Sequence, residues 1–294
     1  MAPALEPRRA VRSAVGGRRA DVAVAAAGLA RSRTHAAALI AAGRVHVDQQ
    51  MVDRPARMIA AGAMLMLREP AAPGPAALRQ PPGAAAPDWV SRGAIKLLGA
   101  ITAMPELRIP GRRCLDVGAA TGGFTEVLLA AGARKVVAVD VGHTQLAPSL
   151  RADSRVCSLE STSIRGLTSD CVGGQVDLLV ADVSFISLRT VSPDLDRLTS
   201  PAGDQLLLVK PQFEVGRAAL PRNGVVRDRA ARAGAVLGVA AANAERGWQV
   251  IAAAPSVLPG PAGNVEFFLW LRRDLAEASV ITAAGLEQMV WEAG

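Results

Sequence analysis

Three charged residues of this 294-residue chain stand where an apolar run starts or stops, and a fourth lies in a short helical pattern. Lys210 ends Leu206-Leu207-Leu208-Val209 and is followed at once by Pro211; Asp182 closes LLVADVSF; Glu266 opens GNVEFFLWL; Lys96 lies within WVSRGAIKLLGA. The lysines are informative because 30 of the 33 basic residues are arginine and only Lys96, Lys135 and Lys210 are not. Arginine keeps its proton in proteins, whereas lysine can give one up or hold an oxygen with a compact ammonium. Amines beside carboxylates suit removal of a hydroxyl proton and stabilisation of the charge that develops on its oxygen. Taken singly, each of the four also reads as an ordinary strand end or helix-surface charge. Lys135, at the start of a strand, reads as a surface residue.

A second cluster surrounds DVGAATGGFT, residues 116–125, which joins the strand pattern RCLDV to the helical stretch TEVLLAAGA. Glycine lets backbone come close to a ligand, and the following helix opens with free N–H groups. The strand KVVAV ends in Asp140, 24 residues after Asp116, where a carboxylate can accept hydrogen bonds from both hydroxyls of a ribose. The spacing is G-x-x-x-G-G, not the G-x-G-x-x-G of dinucleotide sites, which disfavours a nicotinamide oxidoreductase. An acid before the first glycine disfavours a pyrophosphate and favours a cationic ligand, a sulfonium with an amino acid tail. S-adenosylmethionine fits that description. The expected cofactor-binding set is Asp116, Gly118, Ala119, Thr121, Gly122, Gly123 and Phe124, with Asp140 and Glu160.

These residues need a scaffold. RCLDVG, KVVAVDVG, VDLLVADVSF, QLLLVKPQF, WQVIAAAPS and NVEFFLWLRR read as strands, with TEVLLAAGA and DRAARAGAVLGVAAANAERG as helices among them. Continuous Val/Leu runs alternating with helices predict an α/β fold whose parallel sheet is covered on both faces, with ligands at the carboxyl ends of the strands. Upstream, residues 69–88 are rich in Pro, Ala and Gly and read as a linker. Before the linker, ADVAVAAAG predicts a helix ending at Gly28, and SRTHAAALIAAG one capped by Ser32 and stopped at Gly43. RVHVD and MVD, flanking Gln49-Gln50, and AMLMLRE predict short strands. Residues 1–17 read as a basic, disordered start.

The charge follows the same division. Residues 1–68 hold eleven arginines against Glu6, Asp21, Asp48 and Asp53, while the remainder holds 22 basic and 22 acidic residues. The chain's net +7 therefore sits in its first quarter, an electrostatic footprint for nucleic acid.

Two stretches resemble known families. RSRTHAAALIAAGRVHVD, two helices with arginines near their ends followed by short strands, resembles the S4 RNA-binding domain over residues 18–68. That resemblance implies that Arg18, Arg19, Arg31, Arg33 and Arg44 face RNA phosphates. WVSRGAIKL, LDVGAATGGFTEVLL, ADVSFISL, VKPQFEVGR, GVVRD and GNVEF, in that order, resemble the TlyA-type ribosomal RNA 2′-O-methyltransferases, relatives of the FtsJ-type RNA methylases with an S4 domain in front. The resemblance covers about residues 18–272. It implies a Rossmann-like, S-adenosylmethionine-dependent methyltransferase sheet over 89–294 behind a small α+β S4 domain. It also implies a catalytic tetrad of Lys96, Asp182, Lys210 and Glu266, and methylation of a cytidine ribose in the 16S or 23S RNA of ribosomal subunits. On that reading Lys210 removes or orients the hydroxyl proton, Lys96 holds the 2′-oxygen, and the two acids fix the ammonium groups.

With no Tyr, five Phe and four Trp, the chain offers few stacking platforms, so phosphate contacts and RNA shape are expected to hold the substrate. No apolar run reaches the roughly 18 residues of a spanning helix, and no membrane insertion is expected. Cys114, Cys157 and Cys171 form no CxxC pair, and with only three His no structural metal is expected; the chain reads as reduced and cytoplasmic. Two further readings stay open: an RNA-binding or ribosome-assembly protein with an inactive methylase domain, and a membrane-active haemolysin.

Overall fold

The computed structural model of the chain describes residues 9–12, 17–30, 32–41, 45–67, 89–273 and 280–293. Its contacts divide them into two units, one up to Leu67 and one from Trp89. Arg31, Gly43, Arg44, the linker 69–88 and most of the first 17 residues lie outside the described residues.

The first unit runs β1 (Arg9–Arg12), β2 (Arg18–Arg19), α1 (Ala20–Ala26), α2 (Arg33–Ala41), β3 (Val45–Val47), β4 (Gln50–Met51), β5 (Met58–Ile59) and β6 (Met64–Leu67). Both expected helices form. Gly28 follows α1 at φ +68, and Ser32 Oγ accepts from His35 N–H at 3.1 Å to start α2. Val24, Leu39, Ile40, Val45, Ile59 and Leu65 close a small core beneath the strands. Two details differ from expectation. The hairpin turn falls on Asp48-Gln49, both at positive φ, which leaves Gln50 paired with Val47 in the strand; left-handed turn residues match the twist of a two-residue hairpin. Arg9–Arg12, expected in a disordered start, pair antiparallel with Met64–Leu67 and cover what would be an open edge, with Val11 packing on the core.

The second unit runs α3 (Arg92–Ala103), β7 (Arg113–Val117), α4 (Gly123–Ala130), β8 (Lys135–Val139), α5 (Pro148–Arg151), β9 (Val156–Leu159), β10 (Val176–Ala181), α6 (Leu188–Leu198), β11 (Thr199–Val209), α7 (Pro211–Glu214), α8 (Arg229–Ala244), β12 (Gln249–Pro255), β13 (Phe267–Arg272) and α9 (Ala283–Glu292). Seven strands form one sheet in the order β12-β13-β11-β10-β7-β8-β9. The expected parallel sheet forms with one exception, β13, which is antiparallel to both neighbours. The segment between β12 and β13, residues 256–266, contains no helix, and a parallel return needs a longer crossover, usually helical. The chain leaves β7 for β8 and β9 on one side and returns to β10 on the other, so strand order reverses between β7 and β10.

Alternation along the strands sends successive side chains to opposite faces. Leu115, Val117, Leu207 and Val209 join the core under α6 and α8; Cys114, Leu178, Val180, Leu206, Leu208, Phe268 and Trp270 join the core under α3 and α4. Continuing the even positions of β7, β10, β11 and β13 by two leads to Asp116, Asp182, Lys210 and Glu266. All four residues therefore belong to the α3–α4 face. The antiparallel course of β13 matters here: Phe267 pairs with Val209, so the residue before β13 lies beside the residue after β11. In a parallel β13 of six residues Glu266 would stand at the opposite edge of the sheet, about 20 Å away.

At the reversal the backbones of two strand ends nearly touch. Asp182 N–H donates to Val117 O at 2.8 Å, and Gly118, at φ +83, lies so close that a Cβ there would sit 2.5 Å from Asp182 O. Gly123 allows a similar approach of α4 to α3, since its Cβ would meet Ala94 N at 2.7 Å. Gly118→Ala combines a left-handed conformation that costs an L-residue about 1–2 kcal/mol with this clash. Urea unfolding of that variant is expected to show a loss of at least about 2 kcal/mol; an unchanged midpoint would contradict the packing at the reversal.

Candidate active site

The four strand-tip and helix residues meet as two ion pairs. Lys96 projects from the buried face of α3 beside Ala94, Leu97 and Ala100, and its Nζ donates to Glu266 Oε2 at 2.5 Å. Lys210 Nζ lies 2.6 Å from Asp182 Oδ1 and donates to Ser184 Oγ at 2.8 Å. Glu266 is 1% exposed and the two lysine side chains 9% and 10%, so the Lys96–Glu266 pair is withdrawn from water, while Asp182, at 21%, leaves the Lys210 pair partly open. Loss of solvation on that scale is tolerated when each charge keeps a close partner. Gly260 makes room for Glu266, because a Cβ there would sit 2.5 Å from Glu266 Oε1.

Lys96, Asp182 and Lys210 line a cleft of about 440 Å³ with Gly118, Thr121 and Phe124. A second cleft of about 410 Å³ adjoins it across Gly118, Ala120, Asp182 and Ser184, and is lined on its far side by Asp140, Val141, Ile164 and Ile186. Both lie at the carboxyl edge of the sheet beside the strand reversal, where open α/β sheets bind ligands. Each has the size of a small-molecule site.

Asp116 sits fully buried beneath the turn. Its Oδ2 accepts from Thr125 Oγ1 at 2.6 Å, while its Oδ1 has no hydrogen-bond partner among the described residues. Burial pushes its carboxyl up to about 7, only partly offset by the Thr125 hydroxyl, and the negative charges of Asp182 and Asp140 act in the same upward direction. Asp140 accepts from Ala120 N–H at 2.8 Å and Gly142 N–H at 2.7 Å, which holds its carboxylate at the mouth of the second cleft. A buried oxygen left without a partner beneath the turn, and a carboxylate held at the second cleft, fit a ligand carrying a cationic group near Asp116 and a ribose at Asp140.

The remaining expected residues fall into two groups. Ala119, Gly122 and Gly123 build the turn, with Ala119 and Gly123 lining the first cleft. Glu160, like Asp116 and Gly122, lines neither cleft. It follows β9, accepts from Gln145 and Leu146 N–H at 2.8 and 3.0 Å and pairs with Arg151, and these backbone N–H groups hold its carboxyl below its usual range. In the first unit Arg18 and Arg19 are exposed on β2, and Arg33 is exposed at the start of α2. Sequence reasoning missed Ser184, which binds Lys210, and Gln212, whose Nε2 reaches Glu266 Oε1 at 3.5 Å. Each stands two residues past a tetrad member; for Ser184, the strand alternation was the available signal.

The FtsJ-like methyltransferase family matches residues 89–273 and the S4 domain family residues 18–65. The chain belongs to the FtsJ-like methyltransferase family and carries an S4 domain in front. A relative in Mycobacterium tuberculosis, named 16S/23S rRNA (cytidine-2′-O)-methyltransferase TlyA, is 48% identical over 275 residues, 94% of this chain and 96% of the relative. One in Campylobacter jejuni, named 23S rRNA (cytidine-2′-O)-methyltransferase TlyA, is 37% identical over 183 residues, 62% of this chain and 70% of the relative. A solved structure from Streptococcus thermophilus, described as "Putative hemolysin", is similar at a TM-score of 0.66 and 33% identity, covering 95% of this chain and 96% of that one.

Two outcomes are expected from this geometry. Glu266→Leu leaves the Lys96 ammonium buried without its carboxylate and should cost about 3–5 kcal/mol in guanidinium unfolding, with much of the loss recovered in the double variant Lys96→Met/Glu266→Leu. Equal losses in the single and double variants would contradict the pairing. The Asp116 carboxyl, at its ordinary value when unfolded and near 7 when folded, binds more protons in the folded state between those values. Its contribution to stability is full below about pH 4 and is lost as pH rises through 7. Urea titrations should show wild type losing on the order of 4 kcal/mol across that window relative to Asp116→Asn; parallel curves for the two proteins would contradict it.

Proposed function

We propose that this chain methylates the ribose 2′-hydroxyl of a cytidine in ribosomal RNA, with S-adenosylmethionine as donor and ribosomal subunits in the cytoplasm as substrate. The observation that carries the reading is the pair of buried lysine–carboxylate contacts on one rim of the cleft beside the glycine turn. The family membership and the names of the two TlyA relatives support the choice of acceptor.

The residues present suit the donor. Asp116 Oδ1 would take its ammonium, the Gly118–Gly123 turn its amino acid chain, Asp140 its ribose hydroxyls, and the apolar second cleft its base. Bound there, S-adenosylmethionine supplies an electrophilic methyl group. The chain's own groups act on the acceptor. Lys96, fixed by Glu266, donates a hydrogen bond to the 2′-oxygen. Lys210, once it has passed a proton to Asp182 Oδ1, 2.6 Å away, is a neutral amine that orients the hydroxyl in line and takes its proton as the oxygen–methyl bond forms. Holding both oxygen and base in place removes the orientational cost from the reaction step.

A membrane-lytic role has less support: among the described residues no helix is long and apolar enough to cross a membrane. Nor do the described residues hold a cluster of three or more metal-ligating side chains. Lys210→Arg keeps the charge but not a group able to take a proton, and is expected to lose nearly all methyl transfer, at least about a hundredfold, while still binding S-adenosylmethionine by calorimetry. Radiolabelled-methyl transfer to purified ribosomal subunits, with mapping of the modified nucleotide, makes the test. Near-normal turnover by the arginine variant would remove the role given to Lys210, and label on a base or on protein would remove the acceptor.

A further inference from the structure

Two arginines of the first unit converge on one buried acid. Asp21 lies in the first turn of α1 with its side chain 7% exposed, and its Oδ1 accepts from Val22 N–H at 3.0 Å. Arg19, at the end of β2, reaches it through Nε and Nη2 at 3.1 and 3.3 Å; Arg33, at the start of α2, reaches the same carboxylate through Nη2 at 3.1 Å. Neither arginine is buried by this: their side chains are 49% and 63% exposed. The backbone beneath is pinned, with Ala20 N–H donating to Arg57 O at 2.7 Å and Asp21 N–H to Pro55 O at 3.1 Å.

We infer that Asp21 is the positioning residue of a phosphate-binding clasp, holding Arg19 and Arg33 side by side so that their outward N–H groups grip one phosphodiester of RNA. The inference rests on the reading of the substrate as ribosomal RNA and adds to it the residue that organises the contact. Each guanidinium presents five N–H donors in a rigid fork. Arg19 spends one edge on Asp21 and Arg33 spends one nitrogen, so both retain donors directed at solvent. Two forks sharing a carboxylate keep a net positive charge, and their rotamers are set before any RNA arrives. That ordering cost is otherwise met on binding.

The charge of Asp21 gives the test its sign. A carboxylate near RNA repels phosphate, so removing it should tighten binding unless it organises the arginines. The experiment measures binding of the full chain to purified small and large ribosomal subunits at one fixed salt concentration. Asp21→Asn is expected to weaken binding about tenfold despite the extra positive charge, and to have no further effect in an Arg19→Ala/Arg33→Ala background. Arg19→Lys/Arg33→Lys keeps both charges without the forks and should weaken binding similarly, which covers the case in which Asp21→Asn does not fold. Wild-type binding left unchanged or tightened by Asp21→Asn, an equal loss in the background lacking both arginines, or full affinity in the double lysine variant would each overturn the clasp alone. Failure of the wild-type chain to bind either subunit would overturn the substrate reading with it.

Discussion

One steric constraint organises the second unit: the ends of β7 and β10 lie so close at the strand reversal that only a residue without a Cβ fits at position 118. That closeness lets Val117 O take the Asp182 N–H, which fixes Asp182 over the glycine turn. From Asp182 the arrangement propagates outward. Lys210 is held by Asp182 and Ser184, and the antiparallel pairing of β13 with β11 brings Glu266 alongside, where it takes up Lys96 from α3. Alternation along four strands selects the face, and chain direction selects the edge. Moving β13 to the parallel direction, or shifting any of these strands by one residue, would disperse the group.

The electrostatics of the site follow from the same geometry. Burying two lysines and their carboxylates is costly, and pairs of this kind are seldom retained for stability alone. Here each ammonium is confined by a single acid and aimed at a cleft. Asp116 shows the complementary situation, a carboxylate whose burial leaves one oxygen without a partner and its carboxyl near 7. The lysines are held by carboxylates of the chain itself, whereas Asp116 Oδ1 meets no cation among the described residues. The first unit repeats the device on the surface, with one buried acid setting the direction of two exposed arginines.

Much of this was legible in the residues. The glycine turn, the helices around Gly28 and Ser32, and the placement of polar residues beyond apolar runs follow from pattern and period, whereas the grouping of Lys96, Asp182, Lys210 and Glu266 as a tetrad came from the family resemblance. The direction of β13 was legible too, since SVLPGPAGNVE offers no helical crossover, yet the continuous apolar run of FFLWL suggested a parallel strand. Other features depend on contacts that no local pattern carries. Glu160 follows a strand as Asp140 does, but the 145–146 loop and Arg151 claim it. Asp48-Gln49 turns the hairpin without the glycine that usually marks such turns. The pairing of Arg9–Arg12 with β6 joins segments more than fifty residues apart, and short arginine-rich runs read the same whether or not an edge waits for them.

The central claim is that two amines and two carboxylates surround the place where a sulfonium donor presents its methyl group. A crystal structure with S-adenosylhomocysteine, the product of donation, measures this most directly. The expected result places the sulfur in the cleft between Gly118 and Lys210, the amino group at Asp116 Oδ1 and the ribose at Asp140, with Lys96 still on Glu266. Ligand density away from position 118, or Lys96 and Lys210 on different clefts, would contradict the account.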